Sequence, residues 1–458
     1  MEKLHEKDIV VIGAGLTGLT AGFYLNKAKS DFLILEKARH AGGVIRSSKE
    51  SGFLIEHGPN TGVLGSEEAV ELFDDLNGDC EFEVAHKEAK KRYIFKGGKW
   101  HAIPSGLLSA ISTPLFTLKD KFRILGEPFR KKGTNPHETL PELVKRRMGK
   151  SFLEYAVDPF VSGVYSGDVN YLVPKYALPK LYNLEQQYGS FVRGAIQKKK
   201  ENKGLPPSKA TREVFSVKKG LQALTDALVS NVGESNLMLG CDQLKVTPKD
   251  GYFLVSFRND GIEYQIKANK VITATGGYTL SELLPFLRAD QKGSFESQPY
   301  AKVISINLGF HSWVGFNPDG FGGLIPSKEH KTMLGVLFMS TLFKNRAPEG
   351  AELFTVFMGG YRRPDVFDYS DEKIIEVLKD EFTAIMEVDE FKPDLLKIHR
   401  YKYAIPQYGA DMDERLAHVE TLEKEYPGLL IGGNLKDGIG MADRIKQGKM
   451  LAQRAVSG

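Results

Sequence analysis

The chain has 458 residues, too many for one compact core, so about two or three domains are expected. Its 62 basic and 58 acidic residues leave a net charge of +4, too small to argue for nucleic acid; a pI near 8.6 suits an acidic ligand or an anionic surface. Two cysteines, Cys80 and Cys241, and ten histidines without metal-ligand spacing speak against a disulfide framework or a zinc site and fit a reducing compartment.

In chain order, an apolar run from Ile9 to Ile12 ends in Gly13-Ala14-Gly15-Leu16-Thr17-Gly18. A helical pattern follows with Leu16, Leu19 and Phe23 spaced to face a sheet. A second apolar run, Phe32 to Leu35, ends at Glu36. This is a strand–turn–helix–strand unit with the glycine spacing of a dinucleotide site. Gly13 permits the tight turn, Gly15 lets the backbone approach a pyrophosphate, and Gly18 lets helix pack on strand. The helix N-terminus offers free N–H groups to phosphate, and Glu36, about twenty residues on, is placed to accept from a ribose diol. A second glycine pair, Gly42-Gly43, with Arg46 beyond it, is not needed by a nicotinamide site. It points to FAD.

Beyond this unit, Gly58-Pro59-Asn60 marks a turn, and residues 92–103 read as a hairpin across Gly97-Gly98. Residues 104–200 are helical and punctuated by proline. The stretch 107–129 is amphipathic, a pattern that more often packs as a helix than anchors to a membrane. Residues 198–219 read as a basic, solvated linker, and phospholipid contact is the lesser reading. A helix is expected over GLQALTDALVSNV, strands over YFLVSF and YQIKANKVITATGG, and a mixed or antiparallel sheet over 300–360. A helix near 371–387 carries Ile374, Ile375, Val377, Leu378 and Phe382. The chain closes as strand, glycine-rich loop and helix, the helix N-terminus directed at a flavin ring where negative charge develops on reduction. The start of the chain lacks an apolar signal core, and no apolar run is long enough to span a bilayer.

The motifs KRYIFKGGKWHAIPS, FVSGVYSGD, LPKLYNLEQQYGSFVRGAI, GFGGLIPS, GVLFMSTLFKNRAPEG, FMGGYRRP, IPQY and GGNLKDGIG follow one another over nearly the whole chain. In that order they resemble the FAD-dependent protoporphyrinogen oxidases, within the amine oxidase and phytoene desaturase group. The resemblance implies an α/β fold. Its doubly wound, Rossmann-like FAD domain is of p-hydroxybenzoate-hydroxylase type, with a mixed-sheet substrate domain and a helical insertion. The FAD domain would take residues 1–85, 205–295 and 400–458, the substrate domain 86–103 and 296–399, and a membrane-docking helical domain 104–204.

Carried over by motif, the FAD residues are Gly13, Ala14, Gly15, Leu16, Thr17, Gly18, Glu36, Lys37, Gly43, Val44, Gly58, Pro59, Asn60, Thr61, Asn434, Ile439, Gly440 and Met441. An adenine contact through backbone falls near Asp242. In the substrate cavity the resemblance implies that Arg92 holds a propionate and that Leu324 and Phe338 wall the macrocycle. Gly167 would let the substrate approach backbone. Taken alone, Arg92 reads as a surface charge and Leu324 and Phe338 as core. Two departures stand out: Arg444 replaces the cysteine that many relatives carry before Ile445, and Asp168 is followed by Val169 where proline is usual.

The implied activity is oxidation of protoporphyrinogen IX to protoporphyrin IX by hydride transfer to FAD, with dioxygen reoxidising the flavin to give hydrogen peroxide. Coproporphyrinogen III oxidation is the near alternative, and a flavin-binding scaffold without turnover is the alternative from another class. No Ser-His-Asp, Cys-His or paired-carboxylate constellation stands out, as expected where the cofactor carries the chemistry. A cytoplasmic protein peripheral to the inner face of the cell membrane, in contact with a neighbouring haem-pathway enzyme and compatible with a homodimer, completes the expectation.

Overall fold

The structure, a computed structural model, describes residues 4–201, 203 and 208–457. The opening unit folds as β1 (Leu4–Ile12), α1 (Leu16–Lys27) and β2 (Phe32–Leu35). All four residues of β2 are buried, as in a parallel strand covered on both faces. The first sheet runs Leu237–Met238, β2, β1, Ile262–Thr273, with Leu429–Ile431 joining beyond; these five strands are parallel. The first half of Ile262–Thr273 also pairs antiparallel with Tyr252–Asn259, which pairs with Cys241–Lys249.

Helices cover both faces. On one, α1, Gln222–Val232 and Met441–Ser457 enclose Leu19, Phe32, Ile34, Leu228 and Ile445. On the other, Ala289–Glu296 and Met412–Glu425 contribute Phe295, Val419 and Leu422 against Val10, Ile12 and Val271. A Cβ at Gly448 would lie 2.5 Å from the Thr17 carbonyl oxygen, so the closing helix crosses α1 at a distance only glycine allows. The unit is doubly wound, as its alternating apolar runs and helices require.

The second sheet has seven strands in the order Leu395–Pro406, Tyr300–Phe310, Glu352–Gly359, Met333–Phe338, Gly322–Leu324, Arg92–Lys96, Lys99–Ala102. Only the Gly322–Leu324 and Arg92–Lys96 pair is parallel, so the sheet is mixed. Helix Asp371–Met386 covers one face. Its N-terminus is capped by the Ser370 hydroxyl accepting from the Lys373 N–H, and it stops at Glu387 in the left-handed region. Ile374, Leu378, Phe382 and Ile385 recur at helical spacing and are all but fully buried, each worth about 1.5–3 kcal/mol. The strand Leu395–Pro406 pairs with Tyr300–Phe310 as far as Pro406, with a shift of register between Ala301 and Val303. It therefore crosses the boundary expected at residue 400.

The insertion between the two sheets' segments is built of short helices joined by irregular segments. Arg147, fully buried, locks it by donating to Glu127 at 2.8 Å and to Glu185 at 2.5 Å, both carboxylates also buried. The expected linker over 198–219 is partly structured: Lys198 to Glu201 end helix Phe191–Glu201, and Val214–Val217 pairs with Gly62–Val63 and Phe82–Val84. Residues 202 and 204–207 lie outside the described residues. The amphipathic stretch forms Leu107–Ser112, Leu118–Leu125 and Glu127–Phe129; Leu108, Ile111, Leu118, Phe122, Leu125 and Phe129 turn outward, while Leu115 is buried and Phe116 stacks on Phe152. No helix among the described residues is long and apolar enough to cross a membrane.

Candidate functional site

The glycine turn sits at the C-terminal end of β1. Gly13 has φ +104°, and a Cβ on Gly18 would lie 1.8 Å from the Gly13 carbonyl oxygen, so both positions admit only glycine. At Gly15 a Cβ would meet nothing within 4 Å: the space beside it is open. Helix α1 has Gly15 as N-cap, no side-chain cap and no acidic residue in its first turn, which leaves N–H groups and the positive dipole end free for an anion.

The expected FAD residues gather along one crease. The Gly42 N–H donates to Ala14 O at 2.8 Å, and a Cβ on Gly43 would stand 3.2 Å from Gly15 Cα. A Cβ on Gly58 would clash with the Val44 carbonyl, which draws the Gly58–Thr61 loop against Val44, itself an exposed apolar side chain. Glu36 accepts from the Ala14 N–H at 2.6 Å and the Ala38 N–H at 2.8 Å, pinning the carboxylate at the turn with lone pairs left for a diol. Lys37 beside it is exposed. The Cys241 N–H donates to Glu36 O, which brings Asp242 to the same end of the crease. Burial pushes the Cys241 and Cys80 thiols up to about 12, and both are free.

At the other end the Asn434–Met441 loop precedes the closing helix. Sequence reasoning missed what holds it: Tyr300 donates its hydroxyl to Asn434 Oδ1 at 3.0 Å, and Tyr408 donates to the backbone carbonyls of Asn434 and Gly438. Desolvation pushes both phenols upward, so they stay neutral donors. A Cβ at Gly433 would fall 1.8 Å from Thr275 O, fixing the loop on the end of the Ile262–Thr273 strand.

The second sheet turns one face toward this crease, and the pleat says which residues it carries. Thr355 donates to Asn60 Oδ1 at 2.9 Å, so its face is the inner one. Leu337 pairs with Thr355 and with Gly322; Gly335 pairs with Phe357 and with Leu324. Gly322, Leu324, Gly335, Leu337, Thr355 and Phe357 therefore share the inner face, with the Leu324 side chain folded over Gly335. Ser305 and Asn307 continue that face, and the Ser305 hydroxyl and Asn307 Oδ1 are buried without a partner. Arg92, paired with Gly322, is at the rim of the same face. It is exposed, lies over the Phe321 ring, and has no carboxylate at ion-pair distance among the described residues.

Two expected substrate residues are corrected. Phe338 lies on the opposite, helix-covered face, fully buried against Tyr93, Phe316 and Phe354, and has no surface to offer a ligand. Its neighbour Leu337, together with Phe357, takes the inner position. Gly167 is buried, and a side chain there would collide with Gln407 and Leu172, so the chain itself fills the space it was expected to leave for substrate. Leu324 keeps its place on the inner face, its side chain reaching Gly163 of the helical insertion.

An open glycine turn at a helix N-terminus, a pinned acid and a pleated apolar face are parts that a flavin-dependent oxidoreductase needs. The comparisons agree. Residues 16–456 match the flavin containing amine oxidoreductase family, and the chain belongs to that family. It is 27% identical to protoporphyrinogen oxidase 2, chloroplastic/mitochondrial, of Arabidopsis thaliana, over 100% of this chain and 95% of the relative. It is 25% identical to the coproporphyrinogen III oxidase of Bacillus subtilis (strain 168), over 99% and 98%. The fold matches the crystal structure of a presumed protoporphyrinogen oxidase from Exiguobacterium sp. 255-15 with a TM-score of 0.82, 21% identity and full coverage of both chains.

Proposed function

We propose that this chain oxidises a porphyrinogen to a porphyrin: protoporphyrinogen IX to protoporphyrin IX, in haem biosynthesis. The observation that carries this reading is the inner sheet face. An apolar sheet face carrying Leu324, Leu337 and Phe357, with the unpaired Arg92 at its edge, suits a macrocycle that is greasy in its body and anionic at its edge. The crease suits FAD, with Gly15 giving the pyrophosphate room, the α1 N-terminus offering it N–H groups, and Glu36 accepting from the ribose.

Bound FAD would supply the hydride acceptor for a bridge carbon, with dioxygen as the final oxidant and hydrogen peroxide as by-product. The chain's own residues position and desolvate. Arg92 holds a propionate, and the inner face keeps the macrocycle flat and dry. Asn60, tied to Thr355, sets the distance between the two units. Three two-electron steps remove three hydrides and three protons, in sum one hydrogen from each of the four bridge carbons and two from the ring nitrogens, and complete the aromatic ring.

The unit built on the first sheet serves as a p-hydroxybenzoate-hydroxylase-type FAD domain, and the second sheet as the substrate domain. The helical insertion serves as a dock on a membrane surface at the inner face of the cell membrane. Leu108, Ile111, Leu118, Phe122, Leu125 and Phe129 support that role, being between 61% and 84% exposed on consecutive short helices with Lys119 and Arg130 among them. The coproporphyrinogen reading has its own support in the Bacillus subtilis relative. Purified protein given each porphyrinogen, with porphyrin fluorescence as readout, tests the proposal. Faster turnover of protoporphyrinogen supports it, preference for the substrate with extra propionates selects the alternative, and no product from either overturns both.

A further inference from the structure

Arg444 is the fourth residue of the closing helix Met441–Ser457, and its guanidinium turns back under the glycine-rich loop. It donates to Gly433 O, to Lys436 O at 2.8 Å and to Gln447 Oε1 at 2.9 Å, while its Nε is fully buried with no partner. No carboxylate stands at ion-pair distance from it among the described residues. The two nearby acids are otherwise engaged: Asp443 accepts from the Gly440 N–H at 3.0 Å, and Asp437 from Gln447 Nε2 at 2.7 Å. From the other elements packed here, Tyr408 and Tyr300 present neutral hydroxyls already donating to the loop. Burial weighs against the guanidinium's charged form more than Asp437 and Asp443 favour it.

A desolvated cation without an ion pair is expensive unless a ligand's charge meets it. Here it lies beside a helix N-terminus whose dipole has the same sign, at the loop where the flavin ring is expected.

We propose that Arg444 is a fixed cation that stabilises the negative charge acquired by the flavin on two-electron reduction, raising the cofactor's reduction potential. Arg444 is thus a positioning residue for charge and does not touch the porphyrinogen. The inference rests on the flavin reading, and the two fail differently. A protein that binds no FAD removes the flavin reading, whereas a yellow protein whose potential ignores Arg444 removes only this one.

The test is the midpoint potential of FAD bound to wild type, R444M and R444K, by equilibration with a reference dye, together with sulfite titration of the oxidised flavin. R444M is expected to lower the reduced-to-oxidised ratio at a fixed potential at least tenfold, about 30 mV for a two-electron couple, and to weaken sulfite binding by a similar factor. R444K is expected to recover most of both. If R444M does not retain FAD, R444Q, which keeps a donor for the Gly433 carbonyl, takes its place in the comparison. A neutral variant with bound FAD and an unshifted potential overturns the proposal. So does an equal loss in R444K and R444M, which would mark a hydrogen-bond clamp rather than a charge.

Discussion

The Thr355 hydroxyl donates to the Asn60 side-chain carbonyl at 2.9 Å, with both residues buried, and Asn307 Nδ2 donates in turn to Thr355 at 3.1 Å. This chain of hydrogen bonds ties the loop after Gly58 to the inner face of the second sheet. Thr355→Val keeps the shape and leaves Asn60 Oδ1 without a donor, at a cost of about 1–3 kcal/mol. A lower melting temperature and a fall in kcat with FAD content retained are expected; unchanged values for both remove the link from the account.

Two glycines of the turn, Gly18 and Gly15, separate folding from binding. Gly18→Ala forces a Cβ into the Gly13 carbonyl and destabilises even the cofactor-free protein. Gly15→Ala meets no protein atom, so the cofactor-free protein melts as wild type while FAD affinity drops at least about tenfold, roughly 1.4 kcal/mol. Flavin titration and thermal melts of both variants check this. A Gly15→Ala protein that binds FAD normally would falsify the pyrophosphate role.

Arg92→Ala removes the exposed rim cation without touching the crease. A charge-assisted hydrogen bond is worth about 1.5–3 kcal/mol, so kcat/KM is expected to fall about 10- to 100-fold, mostly through KM, with FAD still bound. Steady-state kinetics with a porphyrinogen decide it.

His57 and His399 stack at 4.3 Å between the first unit and the edge strand of the second sheet. Burial, with the Arg46 charge beside it, lowers His57, and burial lowers His399 from 6.5 to about 4. For a histidine depressed on folding, the unfolded chain binds the proton first. The associated stability is complete above pH 6.5 and is lost as pH falls from there through about 4. Proton-detected titration should find His399 neutral across pH 5–8. In His399→Phe, the acid-side slope of stability should flatten.

Much of the first unit is legible in the sequence because glycine spacing, a terminal acid and apolar runs each demand a local geometry. The second sheet is less legible. Leu337 and Phe338 are adjacent and both apolar, each sheet face is buried, and alternation therefore cannot say which one points inward. A one-residue choice exchanges the faces, and the register shift between Met333 and Gly335 is a feature of pairing, absent from composition. Tyr300 and Tyr408 meet Asn434 only through tertiary folding, from more than a hundred residues away in the case of Tyr300. The outward face of 107–129 has the periodicity of a packed helix, and only the fold shows that nothing among the described residues covers it.

That outward face gives a further test. Phe122→Ser, Leu125→Ser and Phe129→Ser together remove three exposed rings or branches far from the crease, so folding and turnover of dissolved substrate should persist. Each apolar side chain inserted at an interface contributes on the order of 1–3 kcal/mol, so sedimentation with anionic lipid vesicles should fall at least about tenfold. Equal sedimentation of the triple variant and wild type removes the docking role.

Anaerobic addition of protoporphyrinogen to the purified yellow protein tests the central claim most directly. The visible flavin absorbance should bleach as porphyrin fluorescence appears, and admitting air should restore it. An oxidised flavin spectrum that persists under excess porphyrinogen would contradict the account.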